Sequence, residues 1–175
     1  MLKKDFLENR HNIIYLGIGS NLGNRTKNIQ TAISKLSKLC KINKVSLFYE
    51  TLSWPDENLP KFLNIVVKCS FSKSPYELME LIKLIEKKLK RKKTKKNMPR
   101  TCDIDIIDFN QEKRIFRYKN ENVIIPHPRL KKRNFVMIPL FEIEKNWHHP
   151  ITKESIHNLV KNLSYKSLSD IKLFK

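Results

Sequence analysis

Pro99-Arg100-Thr101-Cys102-Asp103-Ile104-Asp105-Ile106-Ile107 joins a stiff turn, an arginine and a short strand with two carboxylates two residues apart. Side chains at i and i+2 of a strand share a face. The two Cα atoms are then roughly 7 Å apart, within reach of one or two shared divalent cations. Ile104 and Ile106 point the other way, into a core, and Ile107 and Phe109 are expected on the carboxylate face. Carboxylates beside apolar neighbours are costly unless paired, and hard metal ions are one remedy. The competing reading is the wet end of a half-buried strand, and the nonapeptide alone leaves both open.

Working back from this strand, Phe62 to Phe71 is a long run rich in β-branched and aromatic residues and predicts a strand. Between the two, Ser74-Pro75-Tyr76-Glu77 is a helix start: serine N-cap, proline at the first position, glutamate closing a capping box. The helix runs through Leu78, Leu81, Ile82, Ile85 and Leu89 and ends in the cationic run Lys87 to Lys96. That run repels itself, which predicts mobility from about Lys92 to Met98, as a solvated tail or as a basic lid over anionic phosphates. Ile13 to Gly19 predicts the first strand, and Asn28 to Leu39 has the helical period in Ile29, Ala32, Ile33, Leu36 and Leu39. Lys44 to Thr51 predicts a strand, followed by a long loop to Pro60 with two prolines and Trp54. Gly17-Ile18-Gly19-Ser20-Asn21-Leu22-Gly23 fits neither a dinucleotide fingerprint nor a P-loop, and reads either as a strand end passing close to a ligand or another strand, with Ser20 and Asn21 offering hydrogen-bonding groups, or as a simple strand-to-helix turn.

The series strand, helix, strand, strand, helix, strand is a split β-α-β arrangement. It predicts an α+β, ferredoxin-like βαββαβ core, a mainly antiparallel sheet with helices packed on it. Beyond it, Asp108 to Tyr118 is expected as a hairpin turning near Asn110-Gln111-Glu112. His127 is held between Pro126 and Pro128, which fixes where its imidazole points. Arg129 to Glu144 is expected to be helical, with a bend or break at Pro139. Trp147-His148-His149-Pro150 reads as a surface turn, and Ile156 to Leu163 as a short closing helix. The organisation expected is one domain over 1–175, with a polar lead-in at 1–12 and a C-terminal helix and tail at 151–175.

The chain has 175 residues, enough for one domain with a real core and too few for two ordinary ones. Its apolar runs are too short to span a bilayer, and the charged start carries no apolar signal core. Three cysteines without Cys-x-x-Cys spacing read as reduced thiols. A cytoplasmic protein without a membrane partner is expected. The net charge of +19 raises nucleic acid as a partner, but 28 of the 36 basic residues are lysine. Arginine is the better reader of phosphate and base edges, so the charge reads as a bias spread over the surface. A polyanionic small molecule would also be drawn to this field.

With these residues in place the chain resembles the 6-hydroxymethyl-7,8-dihydropterin pyrophosphokinase family. The resemblance rests on separated blocks in order. They are Tyr15 to Gly23, Ser46-Leu47-Phe48-Tyr49-Glu50-Thr51, Phe62-Leu63-Asn64, Pro99 to Ile106, and Ile125-Pro126-His127-Pro128-Arg129-Leu130 with Arg133, Phe135 and Pro139-Leu140-Phe141-Glu142. It implies transfer of the diphosphate of ATP to the hydroxymethyl oxygen of the reduced pterin, releasing AMP, in folate biosynthesis. It further implies that Asp103 and Asp105 are ligands of two Mg²⁺ ions, and that Arg91 and Arg100 hold the phosphates during transfer. Ile106, His127 and Arg133 would contact ATP. Phe62 and Phe135 would sandwich the pterin, with Asn64, Thr51, Leu52, Gly19 and Asp103 around it. A monomer acting on ATP and a reduced pterin, without nucleic acid, is what the resemblance implies. Two other readings are a basic ferredoxin-like RNA-binding module and a different Mg²⁺-dependent nucleotidyl or phosphoryl transferase. The chain departs from the family at Asn97-Met98, where a Trp-Gly pair is usual, and at Leu52-Ser53, where a proline-rich pair is usual. The lid is one residue shorter, and Asn122 stands where an arginine is common.

Overall fold

The computed structural model describes residues 11–92 and 97–175. Most of the lead-in and the end of the cationic run, residues 93–96, lie outside the described residues, and with them most of the segment expected to be mobile. A six-stranded antiparallel sheet forms the centre. Strand β1 (Asn12–Ser20) pairs on one side with β5 (Asp103–Phe109) and on the other with β4 (Phe62–Phe71). On its far side β4 pairs with both β2 (Lys41–Val45) and β3 (Tyr49–Thr51). The single strand expected over Lys44 to Thr51 is thus two, parted at Ser46. The Ser46 hydroxyl accepts from the Val66 N–H at 2.9 Å, and its own N–H donates to the Val66 carbonyl.

Helices α1 (Arg25–Leu36) and α2 (Pro75–Lys88) cover one face of the sheet. The Asn24 side chain caps α1, so it starts three residues earlier than periodicity predicts. The capping box of Ser74 and Glu77 opens α2 as expected. Ile29, Ala32 and Leu36 of α1 and Leu78, Ile82 and Ile85 of α2 meet Ile14, Leu16, Ile18, Leu63, Ile65, Val67, Ile104 and Ile106 from the strands. The alternation along β1, β4 and β5 therefore sends odd-numbered β1 positions, even-numbered β4 positions, and Asp103 and Asp105 to the opposite face.

That second face is shared with helix α3 (Asn134–Ile143) and the short α4 (Ile156–Lys161). A one-turn 3₁₀ segment, Leu130–Lys132, precedes α3. The helix passes through Pro139 without a break, and the chain breaks instead at Arg133, whose backbone is extended. Pro139 lies among buried residues of α3, and their packing on the sheet outweighs the lost backbone hydrogen bond.

Phe109 is not on the carboxylate face. Leu16 opposes Ile106 and Tyr15 opposes Asp108, which leaves Ile107 without a partner, a β-bulge. Beyond it the alternation is reversed. Ile107 packs in the second-face cluster with Tyr15, and Phe109 packs in the first. The hairpin also differs from expectation. Asn110 and Gln111 turn with positive φ, but β6 (Arg114–Tyr118) pairs with β7 (Glu121–Ile125) instead of β5.

The bulge exposes Asp108 to Trp147, whose indole N–H donates to the carboxylate at 2.7 Å. Trp147 and His149 are both buried, so the Trp147 to Pro150 turn is not a surface turn. The indole found a buried acceptor, and the His149 ring accepts from the Ile151 and Thr152 N–H groups. Burial pushes the Asp108 carboxyl up to about 6, against the pull of the Trp147 and Gln111 hydrogen bonds. A carboxyl with a raised native pKa binds more protons folded than unfolded across that interval. Its contribution to stability therefore falls as pH rises between about 4 and 6. The expected size is about 3 kcal/mol. The melting temperature of the wild type should lose ground to that of Asp108→Asn from pH 4 to 7, and a constant difference would contradict the assignment.

The last residues form α5 (Tyr165–Ser169) and a final strand β8 (Ile171–Leu173), which pairs with the outer edge of β3. The expected tail is thus part of the sheet. Among the described residues no helix is long and apolar enough to cross a membrane.

Candidate active site

On the second face a row of side chains crosses the sheet. Asp103 opposes Gly19, Gly19 opposes Asn64, and Asn64 opposes Tyr49. In the next row Asp105 opposes Gly17. Glycine in the middle leaves a trough between the carboxylates and the amide. A Cβ at residue 19 would come within 3.0 Å of the Asn64 Oδ1 and 3.4 Å of the Phe62 ring. With strands about 4.8 Å apart, Asp103 and Asn64 lie roughly 10 Å across the trough, the width of a flat bicyclic ring with a short substituent. The Asn64 amide donates to the Thr51 hydroxyl at 3.0 Å, which leaves its carbonyl oxygen facing the trough floor.

The carboxylate end is crowded with cations. Asp103 takes Arg91 on one oxygen at 2.7 Å and Arg100 on the other at 3.0 Å. Asp105 takes Arg133 at 2.8 Å. The enclosing walls, and after them the Asp103 charge, raise the pKa of Asp105, with Arg133 pulling it back. Its side chain is still 45% exposed toward the trough. Burial works against the charge on Arg91, but Asp103 and Glu86 outweigh it and raise its pKa.

His127 lies beside Arg133, with its Nε2 3.2 Å from a guanidinium nitrogen. Burial, then the charges of Arg133 and Arg129, hold its pKa down at about 4, so the ring is neutral at neutral pH. Its Nδ1 accepts from the Arg129 N–H at 3.0 Å. The proton is therefore on Nε2, and two donors face each other without an acceptor between them. An anionic oxygen would satisfy both. Arg133 also lies over the Phe135 ring at 5.6 Å, which joins the cation cluster to that aromatic side chain.

The structure thus brings together Arg91, Arg100, Asp103, Asp105, His127 and Arg133 at one end, and Thr51, Phe62 and Asn64 at the other, with Gly19 between them. Phe135 leads α3 beside Arg133. Leu52 follows Thr51 directly. Ile106 points into the first-face core, so only its backbone can face a ligand.

Two residues that organise the site were not singled out from the sequence as doing so. Glu86 is buried, accepts from the Ile104 N–H at 3.0 Å and pairs with Arg91 and Lys83, so it anchors both the carboxylate strand and one arginine. A carboxylate on the apolar stripe of Ile82, Ile85 and Leu89 is the signal that could have found it. Asn21 accepts from the Arg100 N–H at 2.7 Å and donates to the Pro60 carbonyl at 3.0 Å. One side chain therefore ties the arginine turn to the loop after β3. Near the position of the missing arginine, Arg117 stands directly opposite Asn122 in the hairpin.

Among the described residues no group of three or more His, Cys, Asp or Glu side chains is arranged to hold a metal. Asp103 and Asp105 are the carboxylates that could hold a hard cation such as Mg²⁺, which keeps several waters and binds through one or two carboxylates plus substrate phosphates.

The model of the family described as 7,8-dihydro-6-hydroxymethylpterin-pyrophosphokinase matches residues 15–145. The chain belongs to this family. A pyrophosphokinase of Aquifex aeolicus, named for 2-amino-4-hydroxy-6-hydroxymethyldihydropteridine, is 44% identical over 82% of this chain and 87% of its own length. One of the same name from Bacillus subtilis is 39% identical over 76% of this chain and 78% of its own. The folic acid synthesis protein FOL1 of Dictyostelium discoideum is 36% identical over 87% of this chain but only 23% of its own length. The wild-type HPPK-DHPS of Plasmodium falciparum matches in fold with a TM-score of 0.72 at 18% identity, over 88% of this chain. The present chain spans about half the length of such solved chains, 45% in that case. As a member of this family, the chain is a pyrophosphokinase enzyme of folate synthesis.

Proposed function

We propose that the protein transfers the β,γ-diphosphate of ATP to the hydroxymethyl oxygen of 6-hydroxymethyl-7,8-dihydropterin, giving AMP and the pterin diphosphate. The observation that carries this reading is the row Asp103, Gly19, Asn64, which sets a carboxylate–arginine cluster one ring's width from a fixed amide. The pterin lies over Gly19 with its polar edge on Asn64 and Thr51, near Leu52, and its faces between Phe62 and Phe135. Its hydroxymethyl group then points toward Asp103. The triphosphate runs along Arg91, Arg100, His127 and Arg133, beside the backbone of Ile106.

Asp103 and Asp105 are the residues that would hold two Mg²⁺ ions. Bound there, the metal would spread the charge of the phosphates and make phosphorus a better electrophile. The residues of the chain supply the rest. Arg91 and Arg100 meet charge as it develops on the transferred group, and the rigid row fixes the distance of attack. Neutral His127 donates from Nε2 without needing protonation. The chain works as a cytoplasmic monomer on small molecules, without nucleic acid or membrane. Its core is the ferredoxin-like βαββαβ plan, supported by the strand order β5-β1-β4 with β2 and β3 on the far side of β4.

The test is AMP release from ATP with Mg²⁺, with and without the hydroxymethyldihydropterin. Pterin-dependent AMP and pterin diphosphate are expected, and ATP turnover indifferent to the pterin would refute the reading. A narrower test is Gly19→Ala. The added methyl presses first on Asn64 and Phe62, its nearest neighbours. The KM for the pterin should rise about tenfold or more with the KM for ATP little changed. Equal changes in both would place the pterin elsewhere.

A further inference from the structure

The C-terminal segment lies beyond the residues matched by the family model, 15–145, and its sequence carries no motif. Its contacts nevertheless converge on the two walls of the trough. Strand β8 pairs residue by residue with β3: Tyr49 with Leu173, Glu50 with Lys172 and Thr51 with Ile171. Thr51 is the residue whose hydroxyl accepts from Asn64. The Phe174 N–H donates to the Phe48 carbonyl at 2.8 Å, continuing that contact past the strand. Arg25 lies over the Phe174 ring at 5.5 Å while also donating to Glu50 and to the Lys61 carbonyl beside Phe62.

The second wall is held through one side chain. Helix α3 has no side-chain cap at Arg133. Instead, the Asn134 Oδ1 accepts from the Phe135 N–H at 2.6 Å, and its Nδ2 donates to the Ser167 carbonyl in α5 at 2.6 Å. Lys166, next to Ser167, pairs with Glu57 in the loop after β3. The unit from 165 to 174 therefore touches the strand bearing Thr51, the loop behind it and the first turn bearing Phe135. It does not touch Arg91, Arg100, Asp103 or Asp105 in any of these bonds.

The geometry points to a specific role for this unit: residues 165–174 brace the pterin half of the active site, with Asn134 as the positioning residue for Phe135. The inference rests on the proposed location of the pterin. Three elements separated by long stretches of chain (the β3 edge, the following loop and the start of α3) are fixed relative to one another by one short segment. Rings that clamp a flat heterocycle must keep their spacing, and a wall at a sheet edge with no outer neighbour is free to splay. Arg91, Arg100, Asp103 and Asp105 gain nothing from the brace, because β5 is held on the opposite side of the sheet by β1 and Glu86, and Arg133, which precedes Asn134, is held by its own pair with Asp105.

Two variants test this. Asn134→Asp keeps an acceptor for the Phe135 N–H but removes the donor to Ser167. A chain ending at Asp170 removes β8 and Phe174. Melting curves establish that each is folded, and should the shortened chain not fold, Asn134→Asp carries the test. Binding of oxidised 6-hydroxymethylpterin is followed by its fluorescence with Mg²⁺ and a non-hydrolysable ATP analogue present, and binding of the analogue is followed separately. Pterin binding should weaken about tenfold, with analogue binding within about twofold. Unchanged pterin binding in folded Asn134→Asp, or equal weakening of both ligands, would overturn the brace. A wild type that binds no pterin would instead sink the location on which the inference rests.

Discussion

Asparagine at Asp103 or Asp105 should lower pterin-dependent AMP release by about 10³-fold or more, equivalent to about 4 kcal/mol of transition-state stabilisation. The substitution keeps the shape of the side chain and removes the charge that a hard cation requires. The fold should survive it. Arg91 keeps Glu86 when Asp103 is neutralised, and Arg133 keeps its place over Phe135 when Asp105 is. Binding of an ATP analogue should lose its dependence on Mg²⁺ in the double variant. The arginines remain, so some metal-independent affinity for the analogue should persist. Activity within a few-fold of wild type would mean the two aspartates only hold arginines. The RNA-binding reading is separated by the same variants, since RNA binding would be indifferent to them and would fall steeply with salt.

The reason these two carboxylates could be found in the sequence is that their placement depends only on the period of a strand. Ile104 and Ile106 alternate with them and occupy the core, and the glycines opposite come from a strand whose alternation is equally plain. The capping box of α2 was legible because its bonds are local. What failed depended on distant partners. Nothing near Phe109 announces that β1 opposes Leu16 to Ile106 and Tyr15 to Asp108, and so the bulge and the reversal beyond it were hidden. Trp147 and His149 look like a polar turn until Asp108 and the turn backbone supply buried partners. The strand Ile171–Leu173 is three residues with a lysine at its centre and exists because β3 has an open edge. The site divides in the same way. Arg100 and Asp103 are neighbours in the chain, while Glu86 enters only through the packing of α2 against β5.

Alanine at Arg100 or Arg91 should lower turnover by about 10²- to 10³-fold, with much smaller losses in ATP-analogue binding. Both guanidiniums grip Asp103 in the free protein, one on each oxygen. A phosphate group competing for them finds two cations already aimed at one point, which favours charge that grows during transfer over charge already present in ATP. The two variants should differ in stability. Arg100 has Asp103 and the Met98 carbonyl as its side-chain partners, and removing it leaves no buried charge unpaired. Arg91 shares Glu86, which is 3% exposed, and its loss leaves that carboxylate with Lys83 and the Ile104 N–H. Breaking a buried pair in this way costs on the order of 3 kcal/mol. Arg91→Ala should therefore melt several degrees below Arg100→Ala while showing a comparable loss of turnover. The stability difference should shrink in Arg91→Ala combined with Glu86→Gln, because the buried side chain then carries no charge for Lys83 alone to offset. If Arg91→Ala melts with the wild type, Glu86 is not held by that arginine. Small and equal changes in turnover and ATP binding for both variants would reduce the pair to surface charge.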